Sequence, residues 1–342
     1  MATSVQELAT LLGGRLRQGD GARLIEDVAQ PDAGAPNTAV VLFAETLRTQ
    51  KFSQRAGLLV VPTGRGGDTQ TDGALVEVDE PKAALARLLQ HFRPEPQATA
   101  GVHPSAVVSE TAIIGPNVSV GALAVVESGV ELGPDCVIGA QSYVGPDVVI
   151  GAKTTLEPGV RILARSRLGA RVHVGAGTIV GSEGFGHLAP DENGTRLPMP
   201  QAGGVTIGDG VRIGALCCID RGSVGDTSIG ENARLDNLVQ VGHNSVIERD
   251  AVLVAQVGIS GSVRVGRGAV LAGQSGVADH REVGAEAVLL ARAAAFRDVP
   301  PGAVYGGVPA RPKKQWMSEQ ARLSRLTKNA AKRNKVDGEN DV

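Results

Sequence analysis

From Val102 onward the chain places an aliphatic residue every six positions: Val102, Val108, Ile114, Val120, Val126, Leu132, Ile138, Val144, Ile150, Leu156, Ile162, Leu168, Val174 and Val180. The register lapses over 182–206 and resumes at Ile207, Ile213 and Ile219. Four extra residues in RGSVGDTSIG carry it to Ile229, and it then holds to Leu289. A period of six suits neither an amphipathic helix nor a simple alternating strand. It suits short strands joined by tight corners, the aliphatic pointing inward. Glycine often follows it (Gly115, Gly133, Gly151, Gly242, Gly266) and is expected to ease the backbone at the turn. Three hexapeptides close one triangular coil of about 18 residues, and the coils stack as a solenoid.

Aromatic residues make up only 2% of the 342, while glycine numbers 46, which fits a thin interior filled by Val, Ile, Leu and Ala. A formal net charge of −2 gives no global basic field for nucleic acid. Three cysteines, two of them adjacent (Cys217 and Cys218), form neither a disulfide framework nor a metal-binding spacing. No apolar run reaches membrane-spanning length, and MATSVQELAT lacks a secretory pattern, so a cytoplasmic protein is expected.

Residues 1–98 lack the repeat and read as a small α/β domain. SVQELATLLGG predicts a helix capped by Ser4, with Glu7 three residues on and Gly13-Gly14 at its end. Strands are predicted at Ala39–Phe43, Gly57–Val61 and Ala74–Val78, and a second helix over Pro81–Phe92. Residues 99–298 form the solenoid, with an inserted loop near 182–206. Residues 299–342 form a helical extension, predicted over Ser318–Lys332 with Ser318 as cap, and a disordered tail, DGENDV.

Within the repeat, LDNLVQVGHNSV puts His243 at the third position of its hexapeptide, which faces outward. The hexapeptides resemble the left-handed parallel β-helix of the hexapeptide-repeat acyltransferases, and the handedness follows from that resemblance. More narrowly, the order LATLLGG, VLF, AGLLVV, GVHPSAVV, VGSEGFGH, IDRGSVGDTSIG, LDNLVQVGHN and AVYGGVPARPKKQW, from residue 4 to about 317, resembles the UDP-3-O-(3-hydroxyacyl)glucosamine N-acyltransferases of lipid A biosynthesis.

That resemblance implies a homotrimer with active sites in clefts between neighbouring β-helices. It implies transfer of a 3-hydroxyacyl chain from acyl carrier protein to the 2-amine of a UDP-3-O-acylglucosamine, with no cofactor and no metal. An amine attacking a thioester needs a base with a pKa near the working pH and a donor for the oxyanion, and no covalent acyl-enzyme. By the same resemblance His243 is the general base, and Gly261, one coil later, offers its N–H to the oxyanion. His280 contacts the nucleotide phosphates. Asp236, Asn237 and Gln240 contact substrate or, as the plainer alternative, satisfy corner amides. Phe185 in the inserted loop meets an acyl chain or a neighbouring subunit. Phe43 stacks on uracil, although FAETLRTQKF lacks the Asn and Tyr that follow in the family; Glu45, Arg48 and Lys51 are candidate substitutes. Arg292, Arg297, Lys313 and Lys314 offer cations to an acidic acyl carrier protein. The Ala-rich run LLARAAAF, at the family's acyl-chain ruler, leaves room for a long chain. Two other readings stand beside this one: a sugar N-acetyltransferase using acetyl-CoA, and, in a different class, a trimeric zinc hydrolase or an inert scaffold.

Overall fold

The computed structural model describes residues 2–49, 52–94 and 98–337, which leaves Lys51 and the last five residues outside the described set. It divides into two units, Met1–Gln97 and Ala98–Val342.

The first unit is built on a five-stranded sheet in the order Arg15–Gln18, Ala74–Val78, Leu58–Pro62, Thr38–Val41, Asp27–Val28. The last four strands are mutually parallel, and Arg15–Gln18 joins antiparallel at one edge. Strands covered on both faces read as unbroken apolar runs, as LLVVP does, and ALVEV departs from this only at Glu77, which pairs with Arg17 at 2.7 Å. On one face Val41, Val60 and Val76 pack with helices α1 (Val5–Leu12) and α3 (Pro81–Phe92) through Leu8, Leu12, Ala84 and Leu88. On the other, Val40, Leu59, Val61 and Leu75 pack with Ala56, Leu47 and Phe52. Ser4 and Glu7 cap α1 reciprocally, and Gly13 closes it at φ 65°. Between α1 and α3 lies a short helix absent from the sequence expectation, α2 (Ala44–Thr49); its AETLRT is too short and too exposed to carry an apolar period.

The second unit is a parallel β-helix. Each strand, two to four residues long, pairs with strands one coil away: Ser119 with Gly101 and Val137, Val125 with Val107 and Tyr143. The three faces hold 12, 10 and 9 strands. The aliphatic at the second strand position points inward, and so does the fifth hexapeptide position, so that one continuous core runs from Val118 to Val299. Cys136 and Cys217 belong to it, and burial pushes both thiols up in pKa.

The corners differ from expectation. The glycine after each inward aliphatic is not the residue that turns the chain. The left-handed conformation falls on the fourth position, where Asn117, Asp135, Lys153, Asn232, Asn244 and Asp250 have φ between 57° and 60°. The glycine is required by stacking instead. A Cβ on Gly115 would lie 2.8 Å from the Leu132 carbonyl oxygen, and one on Gly242 would lie 2.7 Å from the Gly261 nitrogen. At these corners the next coil's backbone leaves no room for a side chain, whereas other corners carry one at the same position, as with Glu157 and Asp236.

After the last coil, Val304–Gly306 extends the first face, and α4 (Lys313–Asp337) follows. The helix begins five residues before the predicted cap, so Ser318 lies inside it rather than at its end. Arg311 anchors the start through Glu319 at 2.5 Å, and Trp316 lies against Gly306 and Gly307. Among the described residues no helix is long and apolar enough to cross a membrane.

Candidate active site

His243 stands at the corner between the second and third faces, directly after the strand Gln240–Val241. Its imidazole is half-buried. Asn244 follows in the left-handed conformation that asparagine tolerates, which turns its amide back toward the ring. Asn244 Oδ1 accepts the Ser223 backbone N–H at 2.9 Å and lies 3.2 Å from His243 Nδ1. A backbone N–H can only donate, so this atom is an acceptor, and the neutral ring carries its proton on Nδ1. Nε2 therefore keeps its lone pair.

Nε2 lies over the next coil. Gly261 is the residue beneath it, and a Cβ built there would come within 2.6 Å of Nε2. The Gly261 N–H has no acceptor among the described residues. At the same corner position Ala170, Ala176, Ala215 and Ala255 have this N–H capped by a side-chain oxygen of Asp209, Glu157, Asn237 and Asp236, while at Ala122, Ala140 and Ala152 it is open as at Gly261. The open donor at Gly261 sits beside the open lone pair of His243.

From this corner a groove of about 1020 Å³ runs along the second face. Its floor is the outward strand row Cys218, Gln240, Gly258, Gly276, Ala294, each residue paired with the next. Loss of side chains at Gly258 and Gly276 makes the trough, and Ala278 and Phe296 line its far part. His280 and Asp279 line it too, two coils beyond His243. Above His243 the inserted segment forms a hairpin, with Leu188 and Leu197 bonded across it at 2.9 Å. Gln201, nearly buried, clamps its base by exchanging two hydrogen bonds with the Gly184 backbone, and a Cβ on Gly184 would touch the His243 ring at 3.1 Å. Phe185 lines the groove edge with 89% of its surface exposed, edge-on to His187.

The structure thus brings His243, Gly261, Gln240, His280 and Phe185 to one groove. Within one chain it does not bring Asp236 and Asn237 there. These sit at the preceding corner beside a second hollow with His173 and Arg212. Asp236 accepts the Asn237 and Ala255 amides, and Asn237 accepts that of Ala215. Phe43 is half-buried against the core of the first unit, where its carbonyl accepts the Leu47 N–H at 3.0 Å at the start of α2; Glu45 and Arg48 on α2 are exposed. Arg292 donates from Nε to Gln274 at 2.8 Å, and Arg297, Lys313 and Lys314 are exposed. No group of three His, Cys, Asp or Glu able to hold a metal occurs among the described residues.

Two groups were not singled out from the sequence. Asn244, which sets the tautomer, is signalled only by its place next to His243. Asp220, in the IDRG segment, is 7% exposed and lines the groove beside His243.

The bacterial transferase hexapeptide family (six repeats) matches residues 111–146. The UDP-3-O-acylglucosamine N-acyltransferase of Syntrophus aciditrophicus (strain SB) is 48% identical over 329 residues, covering 95% of this chain and 89% of that protein. The chain belongs to that N-acyltransferase family, and it is an acyltransferase. Another member, from Delftia acidovorans, is 41% identical over 78% of this chain and 74% of its own length. Among solved structures, Arabidopsis UDP-N-acetylglucosamine acyltransferase superposes with a TM-score of 0.57 at 25% identity, over 62% of this chain and 73% of that one. The family's left-handed parallel β-helix is the fold of the second unit.

Proposed function

We propose that this N-acyltransferase moves a 3-hydroxyacyl group from acyl carrier protein to the 2-amine of UDP-3-O-acylglucosamine, a step of lipid A biosynthesis, with His243 as general base. The observation that carries the reading is the pairing at one corner of a free imidazole lone pair with an uncapped N–H, at the head of an apolar trough. The amine nitrogen attacks the thioester carbonyl carbon while Nε2 removes an amine proton. Charge collects on the carbonyl oxygen, where the Gly261 N–H is placed to receive it. Collapse expels the thiolate of the carrier's prosthetic arm, and the imidazolium supplies its proton. The imidazolium is sustained by Asn244 Oδ1 at the other nitrogen.

The trough takes the acyl chain. Gly258, Gly276 and Ala294 give successive steps of about 4.8 Å, more room than an acetyl group requires. His280 reaches the nucleotide phosphates, and Phe43 stacks on uracil in the uridine-binding N-terminal domain. Asp236 and Asn237 complete the cleft from a second subunit of a homotrimer. Arg292, Arg297, Lys313 and Lys314 receive the acidic carrier protein. The test is acyl transfer from 3-hydroxyacyl carrier protein by wild type and by His243→Ala. The variant should lose about 10²-fold or more, the magnitude of general-base catalysis; equal rates would remove His243 from the chemistry.

A further inference from the structure

Asp220 is a buried carboxylate that the mechanism above does not use. It ends the strand Cys218–Asp220 on the groove face. Oδ1 accepts the Ser182 hydroxyl at 2.9 Å, and Ser182 is in turn 3.1 Å from the Cys218 thiol. Oδ2 accepts Gln240 Nε2 at 2.9 Å. The groups facing it are therefore Ser182, Cys218, Gln240 and, across the groove head, His243. Burial pushes its carboxyl up from the ordinary value, so keeping it here has a cost that the corner does not need for its own backbone.

An ionised carboxylate has no proton to donate. Whatever bonds to Asp220 must offer an N–H or O–H, so the Gln240 side chain has one permitted orientation. Its NH2 faces Asp220, and its carbonyl oxygen is left toward the groove, three residues from His243. Gln240 itself is exposed along the groove floor. We propose that Asp220 is a positioning residue: it holds the Gln240 amide with Oε1 toward the groove, where that oxygen accepts the second N–H of the attacking amine. This rests on the amine-transfer reading above. A primary amine has two N–H bonds and one lone pair. With one N–H on His243 Nε2 and the other on Gln240 Oε1, the lone pair is left to face the thioester carbonyl. Both acceptors gain strength as the nitrogen becomes positive in the transition state.

Asp220→Asn is nearly isosteric and inverts this logic. If its own oxygen keeps Ser182, its NH2 faces Gln240, which must turn and present NH2 to the amine. Transfer kinetics and pH profiles are measured for wild type, Asp220→Asn, Gln240→Ala and the double variant, with thermal melting to confirm the fold. Each single variant should lower kcat about tenfold, the size of one hydrogen bond made in the transition state, with KM for the UDP-sugar little changed. The double variant should be no slower than Gln240→Ala, because Asp220 acts through Gln240. The acid limb of the profile should stay in place. Losses that multiply to about 10²-fold in the double variant, or an acid limb displaced in Asp220→Asn, would overturn the proposal and make Asp220 act on the imidazole directly. Should Asp220→Asn fail to fold, Gln240→Ala decides alone, since an unchanged kcat there would overturn it. An inactive wild type would instead overturn the amine-transfer reading, and this role with it.

Discussion

Gly261→Ala isolates the geometry of the His243 imidazole from its proposed chemistry. The new methyl carbon would stand 2.6 Å from His243 Nε2 and 2.8 Å from Cε1, about 0.8 Å short of the 3.4 Å at which ordinary contact begins. Gly261 is not in the left-handed region, so alanine adds no backbone strain. The relief must come from the imidazole, because the methyl group is fixed to a rung hydrogen-bonded on both sides. Swinging the ring off its rotamer costs on the order of 1 kcal/mol and weakens its 3.2 Å contact to Asn244. That is a modest loss of stability, and Tm should fall by a few degrees at most. Activity should fall far more. A displacement near 1 Å of a reacting group costs on the order of 10²-fold, and the methyl also crowds the space between Nε2 and the Gly261 N–H. The assay is kcat/KM for acyl transfer alongside a melting curve, with His243→Ala for comparison. A Gly261→Ala enzyme with wild-type kcat/KM would refute the placement of the reacting nitrogen over this coil.

Asn244→Ala should lower kcat about tenfold through loss of the tautomer lock, and an unchanged kcat would remove Asn244 from that role. Gly258→Leu and Gly276→Leu should fill the trough and shift preference toward shorter acyl donors, read by competition between chain lengths; unchanged preference would place the chain elsewhere. Because burial raises the Asp220 pKa in the folded state, the native protein holds this proton more tightly than the unfolded chain, and stability falls as pH rises from the ordinary carboxylate value through the raised one. Asp220→Asn should remove that part of the slope and melt no lower than wild type at neutral pH, even while it turns over more slowly.

The hexapeptide register was readable because each inward residue is an aliphatic that the core requires, and the strands from Val107–Val108 to Val288–Leu289 fall on it. The glycines were visible but their reason was not: nothing in a single hexapeptide says that the next coil's backbone passes within 3 Å of the missing Cβ. His243 and Gly261 were connected by counting one coil. Asp220 and Gln201 were not, since their partners arrive from 20 and 17 residues away, across an extended corner and an inserted hairpin that break the count. The start of α4 was misjudged because Ser318 has the chemistry of a cap, while the chain had already turned helical at Lys313.

The hairpin that overlies His243 enters and leaves at a single corner. Arg167 pairs with Thr206 as directly as Arg161 pairs with Ile179, although many more residues separate the first pair. The ladder therefore counts faces rather than residues: the excursion leaves a register shift between Val180 and Ser182, and the rungs beyond it pair as before. In evolutionary terms the segment covering His243 is a replaceable part. A lineage can alter what reaches the histidine by editing one excursion, while the groove below it inherits its dimensions unchanged.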